Sequence, residues 1–232
     1  MSATPQPHRP LPARALRTAH RLSKDLMYRF RPPKLHVGCG DKKLPGWINL
    51  DLQLIPGGPD VVMDVTQGLY FSNVKAIYAE HFLEHLPILS ALEFLRQCNE
   101  ILGDDGALRL STPNLDWVWL THYNLLEGKD AKAKMAVNIN RAFNGWEHMF
   151  LWNREFLVRA MEACGLQGFT WHTYGNSDRE VFKNLEKHDT YPDTEELPHI
   201  LVVEASRGEA QPEALEALKH ELWRDYLNHM KA

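Results

Sequence analysis

Two short stretches carry the first chemical signal in this chain. Leu35-His36-Val37-Gly38-Cys39-Gly40 is an apolar run that ends in a Gly-x-Gly turn, and Trp47-Ile48-Asn49-Leu50-Asp51-Leu52 is a second apolar run with a carboxylate at its end. In an open α/β sheet these are the carboxyl ends of two strands, the edge at which ligands bind. Glycine lets the backbone turn sharply and approach a ligand with no Cβ in the way. An Asp at the tip of the second strand can accept hydrogen bonds from both hydroxyls of a ribose. A dinucleotide fold asks for a third glycine opening a helix that holds the pyrophosphate. Here Lys43 stands at that place, and only residues 41–46 separate the two runs, with Pro45-Gly46 as turn chemistry. One α-helical turn takes about 3.6 residues, so no crossover helix fits. A ligand with a ribose but no phosphate suits the pattern better, and S-adenosylmethionine is one. Its amino-acid part would meet the glycine turn and its ribose Asp51. Its adenine amine would meet Asp64, in Val61-Val62-Met63-Asp64-Val65.

A second pattern competes. His81-Phe82-Leu83-Glu84-His85 matches His-x-x-Glu-His, a zinc-protease signature. That chemistry needs both imidazoles on one helical face and a third ligand, for which Glu147 and His148 are the candidates. The context opposes it: the motif directly follows the strand-like 74–79, and Pro87 disfavours helical geometry at Leu86. Zinc proteolysis is the distant alternative, and no metal is assigned.

The elements that would position these residues alternate in type. Residues 35–37, 47–52, 61–65, 74–79 and 107–111 read as strands, and 87–102 as a helix with Leu89, Leu92, Leu95, Cys98 and Leu102 on one face. Gly103-Asp104-Asp105-Gly106 reads as a turn. This rhythm predicts a Rossmann-like, mostly parallel α/β sheet. It breaks between Asn114 and Phe150, where two helices are expected, 115–127 and 131–143, separated by Gly128 and with Asp130 as an N-cap. An excursion rich in Trp and Tyr after a strand end is well placed to cover a pocket, with Trp117, Trp119, Tyr123 and Trp146 as its walls. Asn153 caps a helix over 154–164 that Gly165 closes. Residues 169–174 and 199–205 read as final strands. Residues 211–231 read as a terminal amphipathic helix carrying Leu215, Leu218, Leu222, Trp223, Tyr226 and Met230, which packs on the body or forms a homodimer contact.

At 232 residues and 44% hydrophobic composition the chain can bury a substantial core. The division predicted is 1–33 as a Pro-rich lead-in and basic helix, 34–206 as the main domain with 115–150 as a helical lid, and 207–232 as a terminal helix. Residues 1–34 hold eight Arg and Lys against one acid, Asp25, a charge of +7 that leaves −11 on the rest against a total of −4. Leu11, Ala15, Ala19, Leu22, Leu26 and Phe30 recur at helical spacing, so a basic amphipathic helix is expected, packed on the body or contacting a membrane surface or protein. The acidic body and the lack of a recognised binding module argue against nucleic acid as partner. Three scattered cysteines, no apolar leader and no run approaching about 18 apolar residues point to a cytoplasmic chain without a membrane span, its basic helix being the part that could touch a membrane surface.

Taken together, Leu35–Gly40, the run Leu44-Pro45-Gly46-Trp47-Ile48-Asn49-Leu50-Asp51, Met63-Asp64-Val65-Thr66, Leu83-Glu84-His85-Leu86 and Leu110-Ser111-Thr112-Pro113-Asn114 resemble the class I S-adenosylmethionine-dependent methyltransferases. The similarity is greatest to a bacterial branch with a shortened first helix, often associated with surface-polysaccharide or lipid-linked sugar synthesis. It continues through Glu147-His148, Ala163-Cys164-Gly165-Leu166 and Tyr174-Gly175-Asn176-Ser177, covering about 34–206. The turn at 103–106 departs from the family's usual Lys-Pro-Gly-Gly type, away from the site. The resemblance implies that Gly38, Cys39 and Gly40 touch the methionine part of the cofactor, Asp51 the ribose, and Asp64 with Val65 the adenine, with Glu80 and His81 near the sulfonium. It implies methyl transfer to a small-molecule or saccharide oxygen or nitrogen, the acceptor including lipid-linked sugars. A hydroxyl acceptor needs a general base, and His81, His85, His122 and His148 are available. His81, at a strand tip, and His148, closing the insertion, are the two expected to face the acceptor. The other reading is a non-catalytic protein that binds S-adenosylmethionine or a partner.

Overall fold

The computed structural model describes residues 32–123, 129–187, 194 and 196–230. The Pro-rich lead-in, the basic helix expected over 11–30, residues 124–128 with Gly128, the side chains of His122 and Tyr123, and Lys231 lie outside the described residues. Seven strands form one sheet: β1 Lys34–Val37, β2 Ile48–Asp51, β3 Val61–Val62, β4 Val74–Glu80, β5 Leu102–Pro113, β6 Leu166–His172 and β7 Ile200–Arg207, in the order β3-β2-β1-β4-β5-β7-β6. All neighbours from β3 to β5 pair in parallel, while β7 runs antiparallel to both β5 and β6. This is the mostly parallel Rossmann-like sheet of the class I methyltransferases, as expected. The central strand β4 is buried on both faces, as a strand covered on each side must be.

Five helices accompany the sheet among the described residues: α1 Ile88–Ile101, α2 Leu115–Tyr123, α3 Lys129–Asn144, α4 Arg154–Ala163 and α5 Pro212–Asp225. On one face of the sheet α1, α4 and α5 share a core that includes Phe94, Leu92, Leu157, Trp152, Leu215, Leu218 and Leu222. The terminal helix therefore packs on the body through its leucines, while Trp223 and Met230 stay exposed. Asn153 caps α4 as expected, its side chain accepting from Phe156 N–H at 3.0 Å. Gly165 ends that helix at φ +90°, where a Cβ would lie 2.5 Å from Asn99 Nδ2. On the other face a smaller cluster of Leu44, Trp47, Ala76, Tyr78, Ala107 and Phe182 is covered by the segment 174–187. A buried ion network fastens that segment. Arg109 donates to Glu186 at 2.6 Å and to Glu204 at 2.7 Å, Ser177 donates to Glu204 at 2.6 Å, and Gly175 N–H donates to Glu186 at 3.1 Å.

Several boundaries differ from those read in the sequence. Gly103–Gly106 is part of β5 rather than a turn. The chain passes from α1 directly into the strand and runs so close to β4 that a Cβ on Gly106 would lie 2.5 Å from Val74 O, so these glycines serve close approach. β3 keeps only two residues, because the chain turns at Asp64. β6 begins at Leu166, directly after the α4 glycine, and ends two residues earlier than expected. Asp130 lies inside α3, whose first residue is Lys129, and so is not the cap. The terminal helix stops at Asp225 and gives way to a 3₁₀ turn over Leu227–His229. No helix among the described residues is long and apolar enough to cross a membrane.

Candidate functional site

The expected ligand edge forms at the carboxyl ends of β1, β2 and β3. Gly38 and Gly40 both take left-handed backbone conformations, φ +67° and +49°. A Cβ on Gly38 would sit 2.5 Å from the Phe82 ring, whereas a Cβ on Gly40 would meet nothing within 4 Å, so the turn leaves open space on its Gly40 side. The Asp51 carboxylate clamps the turn from β2: Gly40 N–H donates to one oxygen at 2.8 Å and Gln53 N–H to the other at 3.0 Å. A carboxylate has about four acceptor sites, so the half-buried Asp51 keeps capacity for a ribose diol. Cys39 is buried, and burial together with the Asp51 charge pushes its thiol up to about 11, so its contribution to the edge comes from its backbone. After β3, Asp64 is exposed and accepts from Thr66 N–H at 2.9 Å and Thr66 Oγ1 at 2.6 Å, an Asx turn beside buried Val65. These residues fit S-adenosylmethionine: glycine space for the amino-acid part, a clamped carboxylate for the ribose, and a second carboxylate one strand along.

At the tip of β4 the chain changes direction. Glu80 is buried and engaged: it accepts from Tyr174 Oη at 2.5 Å, Tyr78 Oη at 3.0 Å and Lys187 N–H at 2.9 Å. Burial and the Glu80 charge push the Tyr78 phenol well above its ordinary range, so it serves there as a donor. His81 follows at φ +47°, its N–H donating to Ser111 O at 2.9 Å. Its Nδ1 donates to Glu84 Oε1 at 3.0 Å, and Thr112 Oγ1 donates to Glu84 Oε2 at 2.9 Å. Glu84 is fully buried, on a 3₁₀ turn over Leu83–His85. The helix that the zinc-protease signature requires is therefore not formed: His81 and His85 flank a single tight turn.

Beyond this tip lies a cleft of 790 Å³, lined by His81 and His85 from the β4 turn, Pro113 from β5, Ile200 at the start of β7 and His199 just before it, and Trp117, Arg141, Trp146, Glu147 and His148 from the insertion. Of the four expected aromatic walls, Trp117 and Trp146 line the cleft, and Trp119 is half exposed outside it. Glu84 draws the insertion onto the tip through its backbone, its carbonyl accepting from Met149 N–H at 2.7 Å and Phe150 N–H at 3.2 Å. His148 donates from Nδ1 to Ala142 O at 2.7 Å, which places the lone pair of the neutral ring on Nε2. Burial, the largest cause, lowers its pKa below the ordinary histidine value and favours that neutral form. The structure thus brings His81, His85 and His148 to one cavity. Sequence reading missed Arg141, which lies over the Trp146 ring at 5.6 Å, and His199, which meets the edge of Trp117 at 4.3 Å. Neither carries a local signal; only the docking of α3 and β7 reveals them.

A methyltransferase-domain family model matches residues 56–170, just under half of the chain and beginning after the glycine turn and Asp51. No curated protein matches significantly. Among solved structures, an S-adenosylmethionine-dependent methyltransferase from Archaeoglobus fulgidus superposes with a TM-score of 0.50 at 19% identity, over 84% of this chain and 95% of that one. A Thermotoga maritima protein described as a possible histamine N-methyltransferase superposes with a TM-score of 0.47 at 12% identity, over 81% and 89%. The mitomycin 7-O-methyltransferase MmcR superposes with 0.46 at 11%, over 84% and 55%.

Proposed function

We propose, from the premise that this chain carries a methyltransferase domain with S-adenosylmethionine as its cofactor, that it methylates a saccharide or similar small polar acceptor held in the cleft beyond β4. Gly38, Cys39 and Gly40 would hold the amino-acid part of the cofactor, Asp51 the ribose, and Asp64 with Val65 the adenine; Glu80, held by Tyr78, Tyr174 and the Lys187 amide, would stand beside the sulfonium. When bound, the cofactor supplies an electrophilic methyl group on a sulfonium. The chain supplies position, a water-poor wall and a place for the acceptor's proton. His81 and His148 are the proposed acceptor-facing groups, and His81 is the better base: Glu84 holds its Nδ1–H, which directs basicity to Nε2, as a carboxylate does for a catalytic histidine. Trp117 and Trp146 offer ring faces for a sugar. The observation that carries the reading is the adjacency of the Glu84-held His81 to both the ligand edge and the aromatic-walled cleft.

The test is transfer of label from methyl-tritiated S-adenosylmethionine to a panel of sugar nucleotides, lipid-linked sugars and small amines. Turnover is expected with a sugar hydroxyl, and His81→Ala should lower kcat by about 100-fold with cofactor affinity unchanged. Wild-type turnover in both His81→Ala and His148→Ala removes the base from the account; cofactor binding without transfer to any acceptor favours a binding protein.

A further inference from the structure

The cleft brings together a donor set of which the methyl-transfer reading uses His148 alone. We propose that Glu84, His85 and His148 form a binding site for a divalent transition-metal ion at the floor of the acceptor cleft. One ligand atom from each lies within 4.8 Å of the other two. In a four-coordinate site with ordinary bond lengths, ligand atoms are about 3.4 Å apart, so side-chain movements of about an ångström close the set. The three residues come from two separate segments, the β4 turn and the end of the insertion. The Met149 and Phe150 amide bonds to Glu84 O bind those segments together, so the pairing is built into the backbone.

The surroundings have the features of a metal site. His148 donates Nδ1–H to the Ala142 carbonyl at 2.7 Å, the outer hydrogen bond that orients a ligating imidazole and presents its other nitrogen. The Glu84 carboxylate is wholly buried and is oriented by His81 and Thr112, one donor on each oxygen, which leaves lone pairs on both. A buried carboxylate is costly without a compensating positive charge, which an ion would supply. The two imidazoles meet edge to face with ring centres 5.0 Å apart, close enough to share one ion. Two imidazole nitrogens at the cleft, with a carboxylate oxygen buried behind them, select a zinc- or iron-like ion with positions on the cleft side left for water or an acceptor hydroxyl. This differs from the His-x-x-Glu-His reading: His81 positions Glu84 instead of ligating, Glu84 ligates in its place, and His148 remains as the ligand from the insertion. A role for the ion in holding the acceptor oxygen rests on the methyl-transfer reading; its binding does not.

The experiment uses the full chain, dialysed against EDTA and then titrated with Zn²⁺ alone, with bound metal counted after desalting. One equivalent is expected, together with a rise in melting temperature. A visible absorption band of a low-coordinate ion is expected on substitution with Co²⁺. His85→Ala and His148→Ala should each weaken uptake about tenfold or more and abolish the Co²⁺ band. Both residues border the cleft and leave buried Glu84 in place, so these variants keep the test valid even where Glu84→Gln fails to fold. Wild-type protein that retains no stoichiometric zinc, or zinc uptake and Co²⁺ spectra that persist in both histidine variants, overturns the proposal. S-adenosylmethionine affinity, measured on the metal-free protein, reads the cofactor site separately.

Discussion

Replacing Asp51 by Ala tests the ligand edge at its strongest point. The carboxylate holds Gly40 N–H at 2.8 Å and Gln53 N–H at 3.0 Å, and its remaining acceptor sites face the ribose in the account given above. The protein–protein part is a half-exposed pair of bonds, so folding should lose only about 1 kcal/mol. The cofactor part is larger. A hydrogen bond to a charged group contributes about 1.5–3 kcal/mol, and two ribose hydroxyls compete with water for the same carboxylate. A net loss of about 3 kcal/mol corresponds to roughly 100-fold in Kd. The Gly40 turn also loses its clamp, which acts in the same direction. Titration calorimetry with S-adenosylmethionine and with S-adenosylhomocysteine, beside a thermal melt, measures both parts. Asp64→Ala is the internal comparison: its carboxylate is exposed and closes only a local turn with Thr66, so its loss should cost about tenfold or less, near one exposed hydrogen bond. A folded Asp51→Ala protein that binds within about threefold of the original chain, under 0.7 kcal/mol, refutes the assignment of the ribose to β2.

Three further outcomes follow from other buried groups. Arg109→Met leaves Glu186 and Glu204 buried without their partner, and should lower stability by about 3–5 kcal/mol, read as a fall in the urea midpoint. Cys39 and Cys164 carry thiols pushed up to about 11 and about 12, chiefly by burial, and Cys98 is raised well above its ordinary value by the same cause; iodoacetamide at pH 8 should therefore alkylate them only after denaturation, as mass spectrometry would show. His36 is buried against Tyr78 with its pKa lowered by that burial, only partly offset by its bond to Asn49 at 3.1 Å. Below about pH 6.5 the unfolded chain takes up a proton that the folded one refuses. Stability should therefore fall as pH drops from 6.5 towards the folded pKa, and His36→Gln should flatten that slope in urea titrations at successive pH values.

The parts of this molecule that could be read in the sequence are those encoded over short distances. The glycine turn, the six-residue link to β2 and the tip carboxylate lie within 14 residues, and the two apolar runs that carry them mark the strands; the structure closes them with the Gly40–Asp51 bond. The Asn153 cap is equally local. What escaped depends on chain folded back from far away. Arg109 pairs with Glu186 and Glu204, 77 and 95 positions along, and nothing near Arg109 marks it as buried. Glu84 looked like part of a helical metal motif, but Pro87 and the left-handed turn at His81 leave it on a 3₁₀ turn that points into the core. The glycines at 103 and 106 have turn composition, yet they serve a strand that passes close beside β4. The cleft itself is tertiary: its histidines at 81, 85, 148 and 199 meet only because the insertion docks on the β4 tip.

The central claim is that the methyl group is delivered from the β1–β2 edge into the cleft beyond β4. A crystal structure of the chain with S-adenosylhomocysteine tests this most directly. The account predicts ribose hydroxyls on the Asp51 carboxylate, the amino-acid part at Gly38–Gly40, and the sulfur directed to the cleft side of His81. A ribose away from Asp51, or a sulfur separated from the cleft by the His81–Glu84 pair, would contradict it.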